Sequence, residues 1–163
     1  MATGMRVGQG FDIHRFEDTP SGRVLVLGGV QFADERALVG HSDADVIAHA
    51  IADALLGAAN LGDIGQHFPD TDPKWAGADS LLLLSHVVSL VKENGFEIGN
   101  VDCSVVCERP KLAPHRDEMQ RKLINVVGAP VSVKGRRAEG LGALGRQEGI
   151  ACWAVCVIER VAQ

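Results

Sequence analysis

The sequence predicts one domain mixing helices and strands, of class α/β (α+β), and three features of its 163 residues carry that expectation. Segments of strand-like content alternate with segments of helical period. Gly, Pro and Asp gather between them, and no repeat, linker or low-complexity tract divides the chain. Met5 to Gly10 and Arg23 to Gly28 read as strands, with Val30 and Phe32 continuing after the Gly28-Gly29 break. Ser42 is the expected cap of a helix from about Asp43 to Asn60, in which Val46, Ile47, Ala50, Ile51, Ala54, Leu55 and Ala58 recur at helical spacing. Positions 62–73 hold too many Gly, Asp and Pro residues to be anything but loop. A second helix is expected from about Ser80 to Asn94, closed by Gly95, and a β-branched strand from Val101 to Cys107. Pro110 starts a turn, Pro114 opens a third helix through about Val127, and Val131 to Lys134 is a short strand. A glycine-rich loop, Gly140 to Gly149, precedes a last strand from Ile150 to Arg160.

Composition excludes several functions. With 46% hydrophobic and 23% charged residues and a net charge of -5, the chain is neither disordered nor built to grip a phosphate backbone. Aromatics are 4% with no Tyr, which argues against a base-stacking platform. The apolar runs at 24–30 and 80–84 are far shorter than the roughly 20 residues of a spanning helix, and Met1 to Gly10 lacks the apolar stretch of a secretory signal. No nucleic-acid or membrane partner is expected. The thiols form two C-x3-C pairs, Cys103 with Cys107 and Cys152 with Cys156. In strands, four steps separate side chains by about 13 Å, so neither pair can share a metal, and all four read as small buried hydrophobes of a reducing compartment.

Candidate chemistry is densest in the first half. Asp12 and His14 lie just after a strand ending Gly8-Gln9-Gly10, and residues two apart in extended chain project to one side, so a carboxylate and an imidazole are presented together. Downstream come His41, Ser42, Asp43, Asp45, His49 and Asp53, and a helix there sets Asp45, His49 and Asp53 on one face. Asp12, His14 and one histidine of this helix make one oxygen and two nitrogen ligands, the open set that a catalytic zinc uses. The competing reading is a core or surface histidine beside solvated acids. The expected helix start at His41 and Ser42 also suits a phosphate. Gly62-Asp63-Ile64-Gly65 and Phe68-Pro69-Asp70-Thr71-Asp72-Pro73 suit sugar hydroxyls or hydrated magnesium.

Gly140-Leu141-Gly142-Ala143-Leu144-Gly145 matches the dinucleotide fingerprint, but that fingerprint needs a further strand and an acid about 20 residues on, and only Ile150 to Gln163 follow. The glycines read instead as a turn whose amides, with Arg136, Arg137 and Arg146, can hold a diphosphate; a solvated basic loop is the alternative. P-loop, H-E-x-x-H, G-x-S-x-G and C-x-x-C patterns are absent from the sequence.

Taken together, these stretches resemble the family of 2-C-methyl-D-erythritol 2,4-cyclodiphosphate synthase, of the non-mevalonate isoprenoid pathway. The resemblance lies in G-Q-G-F-D-I-H at 8–14, the block from Gly40 to Pro73 that begins G-H-S-D-A-D and contains G-D-I-G-Q-H-F-P-D-T-D-P, Pro110-Lys111-Leu112 with Pro114-His115, and G-R-Q-E-G-I-A at 145–151. The matches run in family order over nearly the whole chain. The resemblance implies one domain over 1–163 with a four-stranded mixed sheet, helices on one face, and a homotrimer whose active sites lie between subunits. It implies zinc, or another divalent ion, on Asp12, His14 and His49. The implied reaction cyclises 4-diphosphocytidyl-2-C-methyl-D-erythritol 2-phosphate with release of CMP, in the cytoplasm of a bacterium or a plastid stroma.

By the same resemblance, His41 and Ser42 hold the 2-phosphate side, and His41 acts as orienter. Asp63, Ile64, Gly65, Phe68, Pro69, Asp70, Thr71 and Asp72 hold the erythritol. Cys107 to Ala113, with Pro110, Lys111 and Leu112, line the cytosine pocket; Glu139 meets magnesium or manganese, and Arg146 contacts phosphate. Asp53 is expected to support the metal site. Two departures stand out. Arg136-Arg137-Ala138 replaces the family's usual Thr run before Glu139, so the expectation is that Arg137 takes over diphosphate clamping, and Ala143 replaces a usual Phe lining a channel on the trimer axis. A zinc phosphohydrolase, or a metal-binding relative with weakened catalysis, is the rival reading.

Overall fold

A computed structural model describes residues 4–161. Their frame is a four-stranded sheet in the order β1 (Met5–Arg15), β6 (Gly149–Arg160), β4 (Phe96–Val106), β5 (Val131–Arg136). β1 and β4 each pair antiparallel with β6, while β5 runs parallel to β4, so the sheet is mixed as expected. A separate hairpin joins β2 (Leu25–Leu27) to β3 (Val30–Phe32). Its two-residue turn, Gly28 at φ 56° and Gly29 at φ 73°, takes the left-handed conformation at both positions that such a hairpin needs.

One face of the sheet carries the helices. α1 (Val46–Ala59) packs on β1 and β6, α3 (Ser80–Glu93) on β4 and α1, and α4 (Arg116–Val127) on β5. Gly8 and Gly10 explain why α1 lies so close to β1. A Cβ at Gly8 would stand 1.9 Å from the carbonyl oxygen of Ala54, and one at Gly10 would stand 2.0 Å from that of Ala50. The small residues of α1 answer the glycines of β1, and helix and strand meet backbone to backbone.

Among the described residues the opposite face carries no helix. Val7, Phe11, Ile13, Trp153 and Val155 project from it and are exposed, with the Phe11 and Trp153 rings 4.9 Å apart on paired residues. All four cysteines are buried and free, as the sequence predicts. Among the described residues no helix is long and apolar enough to cross a membrane.

Several local expectations are corrected. β1 runs on through Asp12 and His14, which therefore sit inside the strand rather than just after it. Helix α1 begins at Val46, and its cap is Asp45, not Ser42, because the Asp45 carboxylate accepts from the amides of Ile47 and Ala48. The stretch expected to be pure loop folds a single turn, α2 (Ile64–His67), capped by Asp63, and a 3-10 turn at Pro73–Trp75 capped by Asp72. The glycine-rich segment likewise contains one turn, α5 (Gly142–Gly145).

Candidate metal centre and a separate cleft

The close contact of α1 with β1 builds the site. Asp12 and His14 point to the helix side of the strand, and His49 comes down from α1 between them. One ligand atom from each lies within 4.8 Å of the others. Asp12 Oδ2 is 3.1 Å from His14 Nε2 and 3.0 Å from His49 Nδ1. The far nitrogens are tied down as well. His14 Nδ1 is 2.6 Å from the carbonyl oxygen of Val39, which can only accept, so Nδ1 carries the proton and Nε2 faces the carboxylate. His49 Nε2 is 2.8 Å from Ser80 Oγ and 3.1 Å from Ser42 Oγ.

This donor set fits a divalent cation, since a carboxylate and two imidazole nitrogens converge with their orientations fixed from behind. The electrostatics agree. Burial pushes the Asp12 carboxyl up, but the hydrogen bonds that His14 and His49 make to it when both nitrogens of each ring carry protons outweigh it and hold the group at about 2. For His14, burial pulls the pKa down, yet the hydrogen bond and charge of Asp12 prevail and raise it. A positive charge at this point is favoured, whether a proton or a metal supplies it.

The two other acids placed on that helix face go elsewhere. Asp45 turns away from the metal ligands and is fully buried, accepting from Gly28 N at 2.9 Å and Gly29 N at 2.7 Å as well as from its own helix. Asp53 accepts from Ile64 N at 3.3 Å and so holds α2. Its pKa is raised, first by burial and then by the charges of Asp63 and Asp12, against that hydrogen bond.

His41 Nε2 lies 2.9 Å from the carbonyl oxygen of Asp72 and donates to it, leaving Nδ1 as the acceptor of a neutral ring. The bond ties the segment at 41 to the acidic loop. In that loop Phe68 is buried, with its ring edge-on to Trp75 at 4.9 Å, so the ring anchors the loop. Asp63 and Asp72 spend side-chain oxygens on Gln66 N and Lys74 N.

A cavity of about 990 Å³ opens elsewhere, between the segment after β4 and the end of β5. Cys107, Pro110, Lys111, Leu112 and Ala113, the residues expected around a cytosine, line it with Arg136 and Arg137, and Phe32, Glu35 and His115 complete the wall. Burial first, then the charges of Glu108 and Glu35, push the Cys107 thiol up to about 11. Asp12, His14, His49 and the acidic loop are not part of this lining. Arg137 is not a free cation: its Nε and one terminal nitrogen each lie 2.9 Å from Glu108 Oε2. Arg146 is paired with Glu148 at 2.7 Å. Glu139 takes a left-handed backbone at φ 54° and joins no metal-ligand cluster among the described residues.

Sequence reasoning missed three contributors. Arg23 donates to the carbonyls of Gly40, at 2.7 Å, and Ser42, clamping the segment that carries His41. Ser80 stands behind His49. Glu108 holds Arg137. Arg23 and Ser80 are distant in sequence from what they hold, and no spacing pattern announces them.

Fold and site define an α+β domain in which Asp12, His14 and His49 are arranged so that they could hold a divalent ion, with a separate cleft of about 990 Å³. The chain belongs to the YgbB family, whose model matches residues 5–159. The 2-C-methyl-D-erythritol 2,4-cyclodiphosphate synthase of Salinibacter ruber is 54% identical over 158 residues, covering 95% of this chain and 99% of the relative. The synthase of Bacillus velezensis is 49% identical, covering 95% and 98%. Among solved structures, IspF of Plasmodium falciparum in a CDP complex superposes with a TM-score of 0.84 at 32% identity, over 99% of this chain and 100% of that one. The bifunctional IspDF of Campylobacter jejuni gives a TM-score of 0.91 at 39% identity; the chain covers 43% of that longer protein, with 98% of its own length.

Proposed function

We propose that this chain converts 4-diphosphocytidyl-2-C-methyl-D-erythritol 2-phosphate to 2-C-methyl-D-erythritol 2,4-cyclodiphosphate and CMP. The observation that carries the reading is the convergence of Asp12, His14 and His49 on one point in a chain of this family. In the reaction an oxygen of the 2-phosphate attacks the β-phosphorus, a new P–O–P bond forms, and the bond to the α-phosphate breaks to release CMP. The attacking oxygen is already ionised, so the protein's work is to hold two anions together and spread the transferred charge.

Asp12, His14 and His49 would hold zinc or a similar ion, and Glu139 magnesium or manganese with phosphate and water oxygens; when bound, these ions supply Lewis-acid polarisation and charge neutralisation at the diphosphate. His41, fixed by Asp72, and Ser42 orient the 2-phosphate. Asp63 to Gly65 and the 68–72 loop bound the erythritol. Cys107 to Ala113 enclose the cytosine, with the stem of Lys111 along its wall. Arg136, Arg137 and Arg146 stand at the diphosphate.

Two observations support a homotrimer with active sites between subunits. The helix-free sheet face exposes apolar side chains that water does not favour. The metal residues and the cleft do not share one lining within a chain, so a neighbour is needed to bring them to one substrate. A cytoplasmic location accords with the bacterial relatives.

Incubation with the cytidylylated substrate and phosphorus NMR of the product tests the reading. A cyclic diphosphate with stoichiometric CMP is expected. Inorganic phosphate without CMP would make the chain a phosphohydrolase, and the absence of turnover by metal-loaded protein would make it a binding relative.

A further inference from the structure

The face of His49 turned away from Asp12 carries a chain of hydrogen bonds that the reaction does not use. Asp43 receives Ser80 twice: the backbone amide of Ser80 donates to Oδ2 at 3.0 Å, and the Ser80 hydroxyl donates to Oδ1. Asp43 is itself set by its own amide on the carbonyl of Ala78 and by Asp45 N on its Oδ1. Ser80 is buried at the first position of α3, so water does not compete for its hydroxyl.

The partners of Ser80 favour one arrangement of the protons. A carboxylate can only accept, so the Ser80 proton lies on Asp43 and Ser80 Oγ has only lone pairs to offer His49. A proton on His49 Nε2, 2.8 Å from that oxygen, completes the chain. Ser42 Oγ, 3.4 Å from Ser80 Oγ and accepting from Ala44 N, sits beside the same nitrogen as a lesser partner. With the proton on Nε2, the lone pair of a neutral ring is on Nδ1, the atom 3.0 Å from Asp12.

We infer that Ser80, anchored by Asp43, is a positioning residue for the metal centre: it fixes the tautomer and rotation of His49 so that Nδ1 is the ligand atom. The inference deepens the reading of Asp12, His14 and His49 as a divalent-metal site and rests on it. It also assigns α3, which supplies no ligand, a share in metal affinity. An oriented imidazole with an anionic chain behind it is the better donor, and removing such a partner weakens metal binding by about 10–100-fold.

The test is zinc affinity of the full chain, by competition with a chromophoric chelator, together with nitrogen NMR of the histidine rings. Wild type is expected to bind zinc through Nδ1 of His49 with Nε2 protonated. Ser80→Ala should bind about 10–100-fold more weakly and lose the single tautomer in the zinc-free protein, while Ser80→Thr, which restores the hydroxyl, should recover most of the affinity. Asp43→Asn, which keeps the hydroxyl and removes its anionic anchor, should fall between wild type and Ser80→Ala. If Ser80→Ala does not fold, Asp43→Asn decides the matter by the same two readouts. Zinc bound within twofold of wild type and an unchanged tautomer, in whichever of these variants folds, would overturn the inference and leave the metal site standing. Wild type that takes up no zinc would overturn both.

Discussion

The metal centre and the cleft are built by opposite means. Asp12 and His14 stand on a strand, His49 on a helix packed against it, and their side chains are 24%, 20% and 12% exposed. The cleft is walled by the segments that follow β4 and β5, and its cations are far more open, with Arg137 71% and Arg109 69% exposed. Regular elements in close contact hold three ligand atoms to ångström tolerance, and backbone and side-chain partners lock both imidazoles. Loops cannot do that alone. The cleft's arginines are instead matched to local carboxylates, Glu108 and Glu35. Geometry is fixed by packing in the first region and left to exposed ion pairs in the second.

The comparison predicts unequal responses to mutation. His49→Ala removes one of three ligands from the rigid region and should abolish zinc retention and cut CMP release by about 1,000-fold or more while the fold persists. Metal content and turnover measured side by side would check it, and retained zinc with retained activity would end the metal reading.

Gly10→Val attacks the contact that holds the region together. Its Cβ meets the Ala50 carbonyl at 2.0 Å, so a loss of about 3 kcal/mol is expected in urea unfolding, with weaker zinc binding as α1 is pushed off β1.

Asp45→Asn should cost about 2 kcal/mol, because the amide nitrogen cannot accept from buried amides that the carboxylate now serves. Its pH dependence has a definite sign. Burial, then the charge of Asp43, lifts the Asp45 carboxyl to about 6 against the N–H groups that favour its anion. A folded pKa above the ordinary value of about 3.9 means that the group's stabilising contribution is complete below pH about 4 and lost as pH rises through about 6. The stability difference between wild type and Asp45→Asn should shrink over that interval, and urea titrations at a series of pH values would reveal a constant or widening gap if the assignment is wrong.

The smallest effect is expected in the open region. Arg137→Thr breaks an ion pair whose arginine is largely in water, so stability should be little changed and the KM for the cytidine substrate should change by less than about tenfold. Steady-state kinetics decide this. A large gain in turnover would show that Arg137 obstructs the position it occupies.

Much of this molecule was legible before folding was considered. Helix α3 begins where the sequence puts it, the Gly28-Gly29 break is the hairpin turn, and Asp12, His14 and His49 are the residues that converge. The first two and the Asp12–His14 pair follow from local information, a period of 3.6, a pair of glycines tolerating positive φ, and two side chains two steps apart in extended chain, while His49 as the third comes with the family resemblance. The failures concern polar groups whose partners lie elsewhere in the chain. Ser42 looks as good a cap as Asp45, yet Asp45 is chosen because the hairpin turn brings two more amides to it. Asp53 shares a face with His49 but is nearer to Ile64, and Phe68 stands in an acidic loop yet turns inward onto Trp75.

The sequence by itself determined the main helices and strands, the Asp12–His14 pair and, by its motifs, the family and with it His49. Tertiary structure alone decided that two glycines draw α1 onto β1, that Ser80 rather than an acid of the same helix backs His49, that Glu108 occupies Arg137, and that the metal residues are not part of the cleft's lining. The physical reason is range. Backbone conformation and hydrophobic period are properties of neighbouring residues, whereas a buried donor or acceptor takes whichever partner the packing of distant segments sets at about 3 Å.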